Sequence, residues 1–179
     1  MEEIRSRRSL FKAAGSLIPL AMLPLPALAR IRDVRQLSFY HMHTDEKLDV
    51  VYAENGAYIP EALTEVNHLL RDFRNDEVHP IDPRLLDLLH AVRKRTGSDG
   101  HFEVLSGFRS PATNDMLRHM STGVARNSMH LRGQAIDVRL TGAGSDDVRR
   151  VAIAMARGGV GYYPDSDFVH LDTGPFRTW

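Results

Sequence analysis

An α+β fold, with a small antiparallel sheet and helices packed on one side of it, is what the sequence predicts, and three observations predict it. Short runs that alternate apolar and polar residues occur near residues 35–52 and again near 134–172. Segments with apolar residues at three- and four-residue steps lie between them. No internal repeat or low-complexity stretch interrupts residues 30–179, so strands and helices belong to one layered domain.

Taken in order, Arg-Gln-Leu-Ser-Phe-Tyr at 35–40 alternates as a strand, and Leu48-Asp49-Val50-Val51-Tyr52 is its hairpin partner across His43-Thr44-Asp45-Glu46. Gly56 marks a turn. Leu63, Val66, Leu69, Leu70 and Phe73 then share one helical face, opened by Pro60. Asp82-Pro83 reads as the N-cap and first residue of a second helix, with Leu85, Leu88, Leu89 and Val92 on one face and Gly97 at its end. Phe102-Glu103-Val104-Leu105 is a short strand that delivers Ser106-Gly107-Phe108-Arg109, and residues 112–120 read as helix. Residues 121–125, small and polar, form a loop bordering a cleft. Along 134–140 the alternation sends Ile136 and Val138 to one face and Asp137 to the other, so Asp137 projects from a rigid strand. Ser145 reads as an N-cap ahead of Asp146 and Asp147, and Gly158-Gly159 ends that helix. Residues 160–163 and 168–172 close the fold as a strand pair joined by Pro164-Asp165-Ser166.

With 179 residues, 26% charged and 42% hydrophobic, the chain suits one soluble domain with a substantial core. Lys plus Arg and Asp plus Glu both number 23, so there is no basic field to draw it to nucleic acid. It contains no cysteine, which excludes thiolate ligands and thiol nucleophiles. The expected form is a monomer.

Residues 1–29 are expected to be an export signal outside the fold. Ser6-Arg7-Arg8-Ser9-Leu10-Phe11-Lys12 is a twin-arginine pattern, a mostly apolar run follows, and Ala27-Leu28-Ala29 offers a cleavage site. The run contains Gly15, Pro19, Pro24 and Pro26 and falls short of the ~20 residues that span a bilayer, which favours a cleaved signal over a retained anchor. The expected destination is the periplasm, for a domain of residues 30–179.

Ser128-Met129-His130-Leu131-Arg132-Gly133-Gln134-Ala135-Ile136-Asp137 carries the chemistry, together with Asp167-Phe168-Val169-His170. A lone His or Asp is more often a hydrogen-bonded bystander, and there are nine histidines here. Taken together, His130, Asp137 and His170 supply the neutral imidazoles and carboxylate that Zn²⁺ accepts, and three protein ligands leave a fourth position for water. The reading is an exported zinc amidohydrolase. His41-Met42-His43 also presents two imidazoles on one strand face, but no third ligand lies nearby and the aromatic neighbours favour packing.

Ser-x-His-x-x-Gly-x-Ala-x-Asp followed by acid-x-x-His resembles the D-Ala-D-Ala metallopeptidases, a group that includes hedgehog-type domains; Ser106-Gly107-Phe108-Arg109-Ser110 with Asn114 resembles the same group's upstream segment. Phe168-Val169-His170-Leu171-Asp172-Thr173-Gly174 is similar in particular to the murein endopeptidase K branch, and the resemblance covers most of the chain after residue 35. It implies His130, Asp137 and His170 as zinc ligands and peptidoglycan stem peptides and cross-links, D-Ala-mDAP or mDAP-mDAP, as substrate. Asp167 stands where the group commonly has a general-base glutamate; the alternative is a solvated turn residue beside Asp165. Arg109 is expected either to stabilise an oxyanion or to hold a substrate carboxylate. Ser128 is expected to bond either the site's backbone or the region of Arg109, and Asp172 either orients an imidazole or meets substrate. Rival readings are a D,D- or L,D-carboxypeptidase and a non-catalytic wall-binding module.

Overall fold

The computed structural model describes residues 33–121 and 123–179; the expected export segment, residues 1–29, lies outside them. The order is β1 (Val34–His41), β2 (Lys47–Glu54), β3 (Ala57–Tyr58), α1 (Pro60–Leu69), α2 (Pro83–Thr96), β4 (Phe102–Ser106), α3 (Pro111–Met120), β5 (Ala135–Leu140), α4 (Ser145–Met155), β6 (Gly159–Tyr163), β7 (Phe168–Asp172) and β8 (Arg177–Thr178). Single 3₁₀ turns, Met129–Arg132 and Pro164–Ser166, precede β5 and β7. None of the described helices is long and apolar enough to cross a membrane.

The architecture is α+β, built on one eight-stranded sheet ordered β3-β2-β1-β4-β5-β7-β6-β8. It is larger than the small antiparallel sheet expected, and mixed: β1 pairs with β4, and β6 with β8, in parallel. The first parallel pair follows from its connection, because β2, β3, α1 and α2 intervene and return the chain to the end from which β1 began.

Strand alternation separates core from site. Phe102 and Val104 of β4, Ile136 and Val138 of β5, and Val169 and Leu171 of β7 are buried in one core with α1, α2 and α4. Asp137, His170 and Asp172 are the alternate residues on β5 and β7, so they leave the core face for the other side of the sheet.

Helix ends show where local chemistry rules. Asp82 caps α2 by accepting the Arg84 amide at 3.0 Å, Pro83 takes the first turn, and Gly97 closes the helix with φ 73°. The apolar pattern of α1 runs on to Phe73, but the helix stops at Leu69, because Asp72 is drawn into tertiary bonds. Its carboxylate, 1% exposed, accepts the Ser110 amide at 2.9 Å and the Arg74 amide at 3.1 Å, tying this segment to the start of α3. Ser145 is not the N-cap of α4; Gly144 is, and the Ser145 hydroxyl instead donates to Asp167 Oδ1 at 2.6 Å.

His41 and His43 pack as the sequence suggested. His43 stacks on Phe73 with ring centroids 4.2 Å apart, and His41 is fully buried, which lowers its pKa to about 4 and keeps it neutral.

Candidate metal centre

β5 and β7 bring two of the expected ligands together by register alone. Asp137 and His170 are direct partners across the antiparallel pair, so their side chains emerge side by side on the same face. His130 arrives from the 3₁₀ turn just before β5. Ser128 caps that turn by accepting the His130 amide at 3.3 Å, and Gly133 ends it with φ 62°. Gly133 is needed twice over, since a Cβ there would also lie 2.2 Å from the Pro80 carbonyl oxygen.

The three donor atoms form a compact triangle with one shorter side. His130 Nε2 lies 3.2 Å from His170 Nδ1 and 3.3 Å from Asp137 Oδ1, and His170 Nδ1 lies 2.8 Å from Asp137 Oδ1. Bonds of about 2.0–2.1 Å to a tetrahedral zinc would set its ligand atoms roughly 3.3 Å apart, so the triangle has the right size for one face of that tetrahedron. The outer atoms of each imidazole fix its tautomer. His130 Nδ1–H donates to the Gly107 carbonyl at 2.6 Å, and His170 Nε2–H donates to Asp172 Oδ2 at 3.0 Å, so the lone pairs of Nε2 and Nδ1 converge on the common point. This is the only grouping of three such ligand residues among the described residues, and all three are buried.

At His130 and Asp137 the electrostatics agree with that geometry. Burial lowers the His130 pKa and favours the neutral imidazole that a metal requires. Burial also works to raise Asp137, but the neighbouring His130 and His170 outweigh it and hold the carboxylate well below its usual range. His170, desolvated yet placed between Asp137 and Asp172, is raised because its hydrogen bonds to those two carboxylates prevail over burial, so a cation at the common point would replace a proton on Nδ1.

Two arginines hold the two carboxylates from outside. Arg109 bonds Asp137 Oδ2 through Nη2 and Ser106 Oγ through Nε at 2.8 Å, leaving Oδ1 for the metal side. Arg177 bonds both oxygens of Asp172, at 3.2 and 2.6 Å, and the Gly159 and Gly174 amides donate to the same carboxylate at 3.0 and 2.8 Å. Burial opposes ionisation of Asp172, but these donors keep it charged and strongly acidic. Of the two expected placements of Asp172, the structure shows contact with the His170 imidazole. Arg177 was not anticipated from the sequence; its only signal was a cation five residues after an aspartate that follows a ligand.

Above the triangle lies an open cleft of about 410 Å³, bordered by Arg109, Ser128, Tyr163, Phe168, Arg177 and Trp179 among others. The loop after α3 forms one rim through Ser121 and residues 123–125, and Asn114 Nδ2 anchors it by donating to the Ala125 carbonyl at 3.2 Å. Asp167 is not brought to this cleft. It sits in the left-handed region at φ 49° after the second 3₁₀ turn, its side chain is 69% exposed, and its carboxylate accepts from Ser145 at the start of α4. The structure does not bring the expected general base, Asp167, to the cleft: the turn sends its carboxylate toward α4. Among the described residues, Asp137 is the one carboxylate lining the cleft.

The chain matches, over residues 29–179, the family model described as peptidoglycan L,D-endopeptidase MepK, Peptidase_M15_2. It is 40% identical over 176 residues to the peptidoglycan L,D-endopeptidase MepK of Escherichia coli (strain K12), covering 97% of each chain. The same identity and coverage hold for the protein of that name in Shigella flexneri. Identity is 36% over 178 residues to the probable peptidoglycan L,D-endopeptidase MepK of Haemophilus influenzae, covering 98% of this chain and 96% of that one.

Proposed function

The chain belongs to the peptidoglycan L,D-endopeptidase MepK family, and from that premise we propose that it is a zinc-dependent endopeptidase that hydrolyses the mDAP-mDAP cross-links of peptidoglycan. The observation that carries the reading is the triangle of His130 Nε2, Asp137 Oδ1 and His170 Nδ1 facing an open cleft. A zinc ion held there would polarise the scissile carbonyl and lower the pKa of the attacking water to about 7. Among the cross-links considered, the L,D designation favours the mDAP-mDAP bond, which joins an L-centre carbonyl to a D-centre amine.

The chain's own residues do the rest. Arg109 keeps Asp137 Oδ2 occupied so that a single oxygen serves the metal, and its guanidinium borders the cleft where negative charge would develop on the carbonyl oxygen. Asp172 accepts the Nε2 proton of His170 and so commits Nδ1 to the centre, with Arg177 holding Asp172 in turn. The test is digestion of purified muropeptide dimers with products identified by mass. The mDAP-mDAP dimer should yield two monomers with the uptake of one water, a chelator should stop the reaction, and Zn²⁺ should restore it. Loss of terminal D-alanine alone would make the protein a carboxypeptidase, and intact dimers after incubation with zinc-loaded protein would refute hydrolysis.

Export through the twin-arginine route to the periplasm is part of the same proposal, because the substrate lies outside the cytoplasmic membrane. Replacing Arg7 and Arg8 together by lysine should leave an uncleaved precursor in the cytoplasm on fractionation. Normal delivery of that variant would remove the twin-arginine assignment.

A further inference from the structure

Asp137, His170 and Gly161 are register partners across β5, β7 and β6, so they form one row on the site face of the sheet. The third position has no side chain. A Cβ at Gly161 would lie 2.7 to 2.8 Å from three indole atoms of Trp179, so the ring occupies the space a side chain would take. Trp179 is seated there firmly. Its amide donates to the Val160 carbonyl at 3.3 Å, its carbonyl accepts the Tyr162 amide at 3.1 Å, and its Nε1–H donates to Tyr163 Oη at 2.9 Å. Arg177 lies over the ring at 5.0 Å, and the His170 ring centroid is 5.1 Å away.

Despite these restraints Trp179 is 50% exposed and lines the cleft. Tyr163 and Phe168, stacked at 4.4 Å, continue the wall beside it. A large ring whose polar edge is satisfied, and whose apolar surface is held open beside a reaction centre, is a preformed contact for hydrocarbon. Arg177 lies over it and Arg109 borders the same cleft, guanidinium groups that suit a ligand whose hydrocarbon chain ends in a carboxylate.

Resting on the endopeptidase reading, we propose that Trp179 is a substrate-positioning residue whose indole receives the aliphatic chain of the diamino acid that carries the scissile amide. Its contact with the His170 ring limits the ligand to groups adjacent to the bond at the metal. The glycan is held farther off by the intervening stem residues, each of which adds about 3.3–3.6 Å when extended.

Trp179 is the chain's single tryptophan, so its fluorescence reports on this contact directly. Titrating the intact zinc-loaded protein with the disaccharide-tripeptide, which ends in the diamino acid, should give a saturable change in emission. The disaccharide-dipeptide and the bare disaccharide should give none. In parallel, Trp179→Leu and Gly161→Ala should each lower kcat/KM for the mDAP-mDAP dimer about tenfold or more with zinc content unchanged, and Trp179→Phe should recover most of it. A flat titration in an enzyme that cuts the dimer, an equal response to the bare disaccharide, or unaltered kcat/KM in both Trp179→Leu and Gly161→Ala would each overturn the proposal. A wild-type protein that cuts no cross-link overturns the functional reading and this proposal with it.

Discussion

His130→Ala is expected to leave a folded protein with no bound zinc and with cross-link hydrolysis at the detection limit. His130 Nε2 is one corner of the donor triangle, and without it only Asp137 Oδ1 and His170 Nδ1 remain, 2.8 Å apart. Two ligands do not define the open tetrahedral site that activates water. Removing a buried imidazole also opens a cavity and leaves the Gly107 carbonyl without its donor, at a cost of about 1–3 kcal/mol for the lost partner. Thermal unfolding should therefore be measured beside zinc content. Asp137→Asn is the better companion variant than Asp137→Ala, because alanine would leave the Arg109 guanidinium with neither counter-charge nor acceptor in a largely buried place, a loss of about 3–5 kcal/mol, whereas the asparagine amide oxygen can still accept its N–H. Asparagine keeps the volume and removes the charge. Retention of one equivalent of zinc by His130→Ala, measured by elemental analysis, would place the metal elsewhere, and full turnover by metal-free wild type would remove metal from the reaction.

Much of this centre was legible in the sequence, and what was not has a physical reason. The alternation of 134–140 placed Asp137 opposite Ile136 and Val138, and the structure has those two in the core with Asp137 on the far face. Period and turn residues suffice to fix such directions because side chains on a strand have only two sides. The pair β6 and β7 was equally readable from its Pro-Asp-Ser connection, and its position beside β5 follows in the structure. By contrast β8 is two residues long, too short for any periodicity, so Arg177 and Trp179 were invisible as parts of the site. The placement of Asp167 was hidden for a related reason. Its spacing before His170 matched the pattern of a base, but spacing along the chain does not tell which way a turn points its side chain, and here the left-handed backbone at 167 turns it to Ser145. The early end of α1 shows the same limit, since the bonds of Asp72 to Ser110 join positions far apart in sequence.

Arg109→Ala should lower kcat by about 10²–10³ with zinc supplied at saturation, the range for loss of one oxyanion donor. The structure adds a second effect that the sequence did not suggest. Arg109 also holds Asp137 Oδ2 and anchors to Ser106, so the variant should bind zinc about 10- to 100-fold more weakly, as outer partners of metal ligands commonly do when removed. Measuring activity across a zinc titration separates the two, because a purely supporting role is restored by excess metal and a role at the oxyanion is not. Arg109→Lys sharpens the distinction. A lysine keeps the charge near the cleft but cannot bond Asp137 and Ser106 together as a planar fork does, so it should recover part of kcat while zinc affinity stays low. Full recovery of kcat in Arg109→Ala at high zinc would reduce the residue to a support for Asp137, and an effect confined to KM would make it a binder of a substrate carboxylate. Asp167→Asn serves as the reference in the same assays: with its carboxylate turned to Ser145, it should keep wild-type kcat and zinc affinity, and a loss comparable to that of Arg109→Ala would return Asp167 to the reaction.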